Sequence, residues 1–193
     1  MTIREALAGE AATVARLHAE GIPDGFLVSL GPAFLRRLYA RAIRSGRAEV
    51  LVATAASGEV VGFVAVADDV RAFFTDFLVR DGVAAAFTAA AGVLRAPRSV
   101  FETLRYGGRV PAAGPAAEIL ALAVDPGARG RGLGTALAAA AIAGVRSRGG
   151  ERVRVLTAVG NDAAARAYTG AGMRRRGRDA VHGDVVQDVF EWP

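Results

Sequence analysis

Three glycines alternate in the segment Arg129-Gly130-Arg131-Gly132-Leu133-Gly134-Thr135. An apolar run ends before it at Val124, broken by Asp125-Pro126-Gly127, and an Ala-rich apolar run follows it. The order reads strand, turn, helix. The first amides of a helix have no intrahelical acceptor, so together they form an anion site. Glycines let a phosphate come close to the backbone and tolerate unusual dihedrals. Arg129 and Arg131 add positive charge at the mouth. The chemistry this implies is the binding of a pyrophosphate, set against the plainer reading of a tight strand–helix turn. The dinucleotide fingerprint G-x-G-x-x-G does not fit, because its sixth position, counted from Gly130, is Thr135. Such a fingerprint also belongs in a first strand–helix unit, and this segment lies two thirds of the way along the chain.

A second constellation follows at fixed spacing. Asn161 stands where it can cap a short helix, and Tyr168 lies two turns later on nearly the same face. Upstream, Glu118 opens the apolar run that leads into the glycine turn. By themselves these residues also read as an ordinary N-cap, a core tyrosine and a carboxylate at a strand rim.

Taken together, the two segments resemble the GNAT superfamily of acyl-CoA-dependent N-acetyltransferases. The pyrophosphate loop of that family, Gln/Arg-x-x-Gly-x-Gly/Ala after a strand ending near a Pro, is matched by Arg129, Gly132 and Gly134, with Pro126 ahead. The second signature, Asn-x-x-Ala-x-x-x-Tyr-x-x-x-Gly-Phe, is matched by Asn161, Ala164, Tyr168 and Gly172, with Met173 in place of Phe. One helix and one strand separate the two motifs, as the family requires. The resemblance covers about Glu118–Met173, extends more faintly over residues 2–67, and leaves out the segment between.

The resemblance implies acetyl-CoA as co-substrate and direct transfer of its acetyl group to a primary amine in a ternary complex. Pantetheine is expected against the backbone of Leu122, Ala123 and Val124. Pyrophosphate is expected on the amides from Arg129 through Gly130, Arg131, Gly132, Leu133 and Gly134 to Thr135, with Asn161 also at the cofactor. Glu118 is the expected general base, directly or through a water, since an amine arrives mostly as ammonium. A backbone amide near Leu122 is expected to stabilise the oxyanion. Tyr168 is the expected acid for the departing thiolate, a phenol of pKa about 10 matching a thiol of comparable pKa. The acceptor is expected to be a small-molecule amine, drawn by an acidic trio of Asp68, Asp69 and Asp76. Two alternatives remain: a degenerate module that holds acyl-CoA without turnover, and an enzyme acting on protein N-termini.

These residues need elements to position them. Thr2–Glu5 reads as a first strand, and a helix carrying Val14 and Leu17 closes at Gly21-Ile22-Pro23. Gly31-Pro32 opens a second helix, in which Phe34, Leu35, Leu38, Tyr39 and Ile43 recur at helical spacing. Glu49–Thr54 and Val60–Val66 form a hairpin pattern. Residues from about Asp68 to Pro115 read as a helical insertion, with one helix around Phe73–Leu78 and another over Ala84–Leu94. Glu118–Val124 is the fourth strand, Leu133 to about Arg146 a helix, and Arg152–Val159 the fifth strand. A short capped helix runs to Ala171, and about Met173–Arg178 and Val185–Trp192 make two last strands. The expected fold is α/β (α+β): one domain over residues 1–193, with a mixed, mostly antiparallel sheet of about seven strands flanked by helices. The resemblance adds that the sheet splays between its fourth and fifth strands.

Composition narrows the chemistry further. The 193 residues contain no Cys, which removes disulfides, thiol nucleophiles and Cys-based metal sites. All 24 basic residues are Arg, so Lys-dependent phosphate loops and Schiff bases are also removed. Only His18 and His182 are present, and no metal site is expected. His18 reads as packing or surface, and His182 as a solvated turn. Heavy Ala and Gly usage beside all-Arg basicity looks like a coding bias, so the net charge of +5 is not taken as a nucleic-acid signature. The run Arg174-Arg175-Arg176-Gly177-Arg178 reads as the solvated face of a strand. The longest apolar stretches are too short to span a bilayer and the first residues are charged, so the expectation is a soluble cytoplasmic protein. The terminal strands offer an edge for a homodimer.

Overall fold

The computed structural model describes residues 1–95, 117–181 and 185–193, with side chains over 1–86, 117–179 and 186–193. Seven strands form one sheet: β1 (Thr2–Glu5), β2 (Ala48–Thr54), β3 (Val60–Ala67), β4 (Ala117–Val124), β5 (Val153–Ala158), β6 (Arg174–Val181) and β7 (Val185–Trp192). Their spatial order is β1-β2-β3-β4-β5-β7-β6. Every neighbouring pair is antiparallel except β4–β5, which is parallel.

Helices cover both faces, and the core is split accordingly. On one face lie α1 (Ala11–Gly21), the single turn α2 (Phe26–Ser29), α3 (Pro32–Arg44) and α4 (Val70–Arg95). In α3, Pro32 supplies a first-turn residue that needs no amide partner. Phe34, Leu35, Leu38, Tyr39 and Ala42 then recur on one face and are buried. This first core takes Val52, Phe63 and Ala65 from the sheet. On the other face α5 (Leu133–Ser147) buries Leu133, Leu137, Ala138, Ala141, Ile142 and Val145. Each of its larger side chains contributes about 1.5–3 kcal/mol by leaving water. The short α6 (Asp162–Gly170) adds Tyr168 to this second core.

The insertion differs from the expected pair of helices. The pattern over 73–78 and the one over 84–94 belong to the single 26-residue helix α4. Gly82 stands between them, and a lone glycine in an Ala-rich stretch costs a helix only about 1 kcal/mol. Two guanidiniums fasten α4 to α3: Arg41 Nε donates to Asp81 at 2.6 Å, and Arg37 reaches the same carboxylate at 3.6 Å. Pro97, Gly107 and Gly108 lie outside the described residues, as does His182. The one-turn α2 was hidden between the breaks at Pro23 and Pro32. Among the described residues no helix is long and apolar enough to cross a membrane.

At the far edge of the sheet the arginines of β6 serve the strand beside them. Arg175 and Arg178 bond Asp188 of β7, and Arg176 reaches Glu191 and the backbone oxygen of Pro193. They form the charged, solvated strand face that the sequence suggested. Such a charged edge discourages strand addition.

Candidate active site

β4 is the strand on which the site is built, and its two edges differ. Toward β3 it is paired from Glu118 to Val124. Toward β5 it pairs only at Ala117↔Val153, Glu118↔Arg154 and Ile119↔Val155. β5 then continues to Ala158 alongside β7, so the two parallel strands part after Ile119. The edge of Leu122, Ala123 and Val124 turned away from β3 is left with backbone groups and no strand.

A bulge sets the side-chain pattern at this parting. Val66 pairs with Ile119 and Ala65 with Ala121, leaving Leu120 as the extra residue. Ala117 and Ile119 therefore face the α5 core, whereas Ala121 and Ala123 face the α1–α3 core. Glu118, out of phase with its neighbours, shares the α1–α3 side with Leu120 and Ala121. Glu118 does not stand free. Arg154 holds its Oε2 from two nitrogens, at 2.6 Å from Nε and 2.5 Å from Nη2.

The glycine turn begins where β4 ends. Asp125 accepts a bond from the Gly127 amide at 2.9 Å and starts a tight turn over Pro126–Ala128. Arg129 folds back, its Nε donating to the Val124 carbonyl at 3.0 Å, so this side chain braces the turn against the strand. Arg131 is exposed. Gly130 and Gly132 both have φ of 75°, a region open to glycine at little cost, and a Cβ at either would meet nothing within 4 Å. Space over the turn is therefore open. Gly132 caps α5 without a side chain, and the first helical bond runs from the Ala136 amide to the Gly132 carbonyl. The amides of Leu133, Gly134 and Thr135 thus precede the helical ladder, at the positive end of the helix dipole.

Gly134 has a second duty that the motif did not reveal. A Cβ there would stand 3.3 Å from the Cβ of Ala167, and one at Gly170 would stand 3.0 Å from Thr135. Small residues let the first turn of α5 lie close on α6. Asn161 starts α6, its side-chain oxygen accepting from the Ala164 amide at 3.1 Å. Tyr168 follows two turns later and is 5% exposed, its ring 5.8 Å from that of Phe190. Burial pushes its phenol up to about 12. It is both a core side chain and a protonated hydroxyl held on α6.

Two of the acidic trio are paired with guanidiniums and the third caps a helix. Asp68 is bonded twice by Arg148, Asp69 caps α4 through the Ala72 amide, and Asp76 pairs with Arg80. Several residues that shape the site escaped the sequence. Arg154 is one, since nothing local ties it to Glu118. The bond between His18 and Tyr39 is another, although each residue by itself read as packing: His18 Nδ1 lies 2.5 Å from the Tyr39 hydroxyl and its ring stacks on Phe63. Burial pushes the His18 imidazole down to about 4, so it is neutral at pH 7. A hydrophobic helix face with one His in phase was the only available signal. Among the described residues there is no group of three His, Cys, Asp or Glu that could hold a metal ion.

Comparison with known proteins agrees with this fold. The family model described as "Acetyltransferase (GNAT) family" matches residues 22–173. A mycothiol acetyltransferase of Thermobispora bispora is 41% identical over 69 residues, which is 36% of this chain and 23% of that protein. The chain thus aligns with about a quarter of that relative's length. Among solved structures, a phosphinothricin acetyltransferase from Sinorhizobium meliloti in complex with AcCoA superposes with a TM-score of 0.64 at 15% identity, covering 100% of this chain and 87% of that one. A ribosomal-protein-alanine N-acetyltransferase from Brucella melitensis gives 0.64 at 16% identity, covering 100% and 99%. The likeness to these structures lies in the fold, and the family model spans most of the sequence; this chain belongs to the acetyltransferase (GNAT) family.

Proposed function

We propose that the protein transfers the acetyl group of acetyl-CoA to the primary amine of a small molecule by direct attack in a ternary complex. Family membership supplies the donor half of that statement: the chain is an acyl-CoA-dependent N-acetyltransferase, and acetyl-CoA is its co-substrate. The observation that carries the reading is the parting of β4 from β5 beside an open glycine turn, which offers that donor a place. A pantetheine arm in that gap would bond the free edge of Leu122, Ala123 and Val124, much as a strand would. The pyrophosphate would take the amides of Leu133, Gly134 and Thr135, approached over Gly130 and Gly132, with Arg129 and Arg131 supplying charge. Asn161 would border the same ligand from the start of α6.

The acid–base assignments follow from position. Glu118 would accept the ammonium proton, directly or through a water, on the α1–α3 side of the sheet. An amide near Leu122 would hold the carbonyl oxygen as its charge develops. Tyr168 would hand its proton to the departing thiolate. Burial raises both a phenol and a thiol, so a thiolate released into the same dry environment is a fitting base for a phenol near 12. No Cys exists to carry the acyl group, which supports transfer in one step. A small amine as acceptor is supported by the phosphinothricin acetyltransferase among the matching folds.

The experiment is a calorimetric titration of wild type and Gly132→Trp with acetyl-CoA. The new side chain meets nothing in the protein at its Cβ, so it fills ligand space and leaves the core packing alone, at a cost of about 1–2 kcal/mol in backbone strain because φ is 75° there. Saturable binding to wild type and none to a folded variant is expected. Absence of binding to wild type overturns the assignment. Binding without thiol release for any amine favours a non-catalytic acyl-CoA module.

A further inference from the structure

We infer that the acceptor is a monoamine with an apolar end group, and that this end group seats in the pocket behind the β4 bulge. The inference rests on the acetyltransferase reading and adds the acceptor's class to it. Among the described residues, the pocket lies between α2, α3, α4 and the β3–β4 pair. Tyr39, Ala42 and Ala65 belong to its buried floor, while Leu27, Phe74 and Leu120 are half-buried and form its mouth. The bulge turns both Leu120 and Ala121 toward this pocket, on the face that Glu118 shares. Ala67 pairs with Glu118 and Ala65 with Ala121, so the backbone of Glu118 and the pocket lie two residues apart along β3, roughly 7 Å. An amine at Glu118 would therefore reach the pocket through a chain of about four carbons.

The lining selects the end group. It is apolar except for Tyr39, whose hydroxyl is already engaged by His18 Nδ1 at 2.5 Å. The cavity has ≈ 20 Å³ of room, the size of one methyl or one water. A water there would lack the polar partners it needs, so a hydrocarbon group is the better occupant. A second ammonium would fare worse still. Asp69, Asp76 and Asp81 around α4 are committed to a helix cap or to guanidiniums. Asp24, exposed three residues before Leu27, is a carboxylate with no guanidinium partner among the described residues. A diamine arm in the test reports whether it serves a second cation.

Thiol release from acetyl-CoA is compared for ethylamine, butylamine, 4-aminobutan-1-ol and putrescine. The last three share a four-carbon chain and differ at the far end. Butylamine is expected to exceed putrescine in kcat/KM by about tenfold or more, because its terminal methyl fits the cavity and a second ammonium would lose its hydration there. Ala42→Val, the smallest apolar change that fills the floor, should lower butylamine turnover several-fold and leave ethylamine turnover and the Kd for acetyl-CoA unchanged. If that variant fails to fold, Leu120→Ala at the mouth should lower the ratio of butylamine to ethylamine several-fold. Putrescine or the alcohol turned over as well as butylamine overturns the inference, as does a ratio untouched by the folded variant. Acetyl-CoA binding without turnover of any of the four also overturns it. Failure to bind acetyl-CoA overturns the acetyltransferase reading, and this inference with it.

Discussion

Arg154 grips a single oxygen of Glu118. Its Nε and Nη2 both meet Oε2, and Oε1 receives no hydrogen bond among the described residues. The pair bridges β4 and β5 at the second of their three register positions, one step before the strands part. It therefore bolts the vertex of the gap and leaves Oε1 as the oxygen that the proposed base would use.

Removing either partner should read out differently. Glu118→Gln keeps an acceptor for Arg154, so the fold should stand while kcat falls about 100-fold or more, the usual worth of a positioned base. Arg154→Met leaves a carboxylate that is 16% exposed without its partner. It should cost about 1–3 kcal/mol in a denaturant melt and lower kcat more than it changes the KM for acetyl-CoA. Arg154→Lys should recover part of both. A wild-type kcat in the folded Met variant would make the bolt purely structural.

Tyr168→Phe separates packing from proton donation, because the ring that meets Phe190 is retained. Steady-state kinetics should show kcat down about 10- to 100-fold with acetyl-CoA affinity unchanged. The variant also has a signature in alkali. Burial holds the phenol up at about 12, above its ordinary value near 10. The stability this confers is complete below pH about 10 and is lost as pH rises toward 12. Chemical melts from pH 9 to 11 should therefore be less pH-dependent in the Phe variant than in wild type.

His18 gives the opposite sign. Its imidazole is pushed down to about 4 by burial against Tyr39 and Phe63, from an ordinary value near 6.5. The unfolded chain takes up the proton first as pH falls, so stability is complete above pH about 6.5 and is lost progressively toward 4. The loss is on the order of 3 kcal/mol if the whole shift is realised. His18→Gln, which keeps a polar partner for Tyr39, should flatten the stability profile between pH 6.5 and 4. An unchanged slope would mean that the imidazole is wetter than its 3% exposure implies.

Much of this arrangement was legible because local rules decided it. Pro32 and Gly31 open α3, helical spacing names its buried face, and the alternating glycines mark where β4 gives way to α5. Asn161 capped α6 as its type suggested. The features that escaped depend on register between distant segments. Glu118 and Arg154 are 36 residues apart and meet only because two parallel strands share three pairs. The bulge at Leu120 is invisible in Glu-Ile-Leu-Ala-Leu-Ala-Val, where apolar residues occupy both phases. Asp68 looked free in sequence because its partner, Arg148, stands 80 residues away, whereas the partners of Asp69 and Asp76 lie within one helical turn. The two helical patterns of the insertion read as separate because nothing local showed that the helix continues through Gly82.

The contact between Gly21 and Ala123 yields the last prediction. Gly21 is the final residue of α1, and a Cβ placed on it would lie 2.6 Å from the Cβ of Ala123. Real side chains do not approach so closely, so Gly21→Ala must push the end of α1 away from β4 or move the strand. The cost should be about 1–3 kcal/mol, as for other overpacked sites. Ala123 lies in the stretch proposed to hold pantetheine, so the same variant should weaken acetyl-CoA binding about tenfold, the equivalent of about 1.4 kcal/mol. Ala123→Gly removes the opposing methyl. If the clash is the cause, Gly21→Ala with Ala123→Gly should recover stability and affinity beyond the sum of the single effects, a coupling that a double-mutant cycle measures directly. Additive losses would mean that the end of α1 yields without disturbing β4, and that the helix does not set the position of the strand.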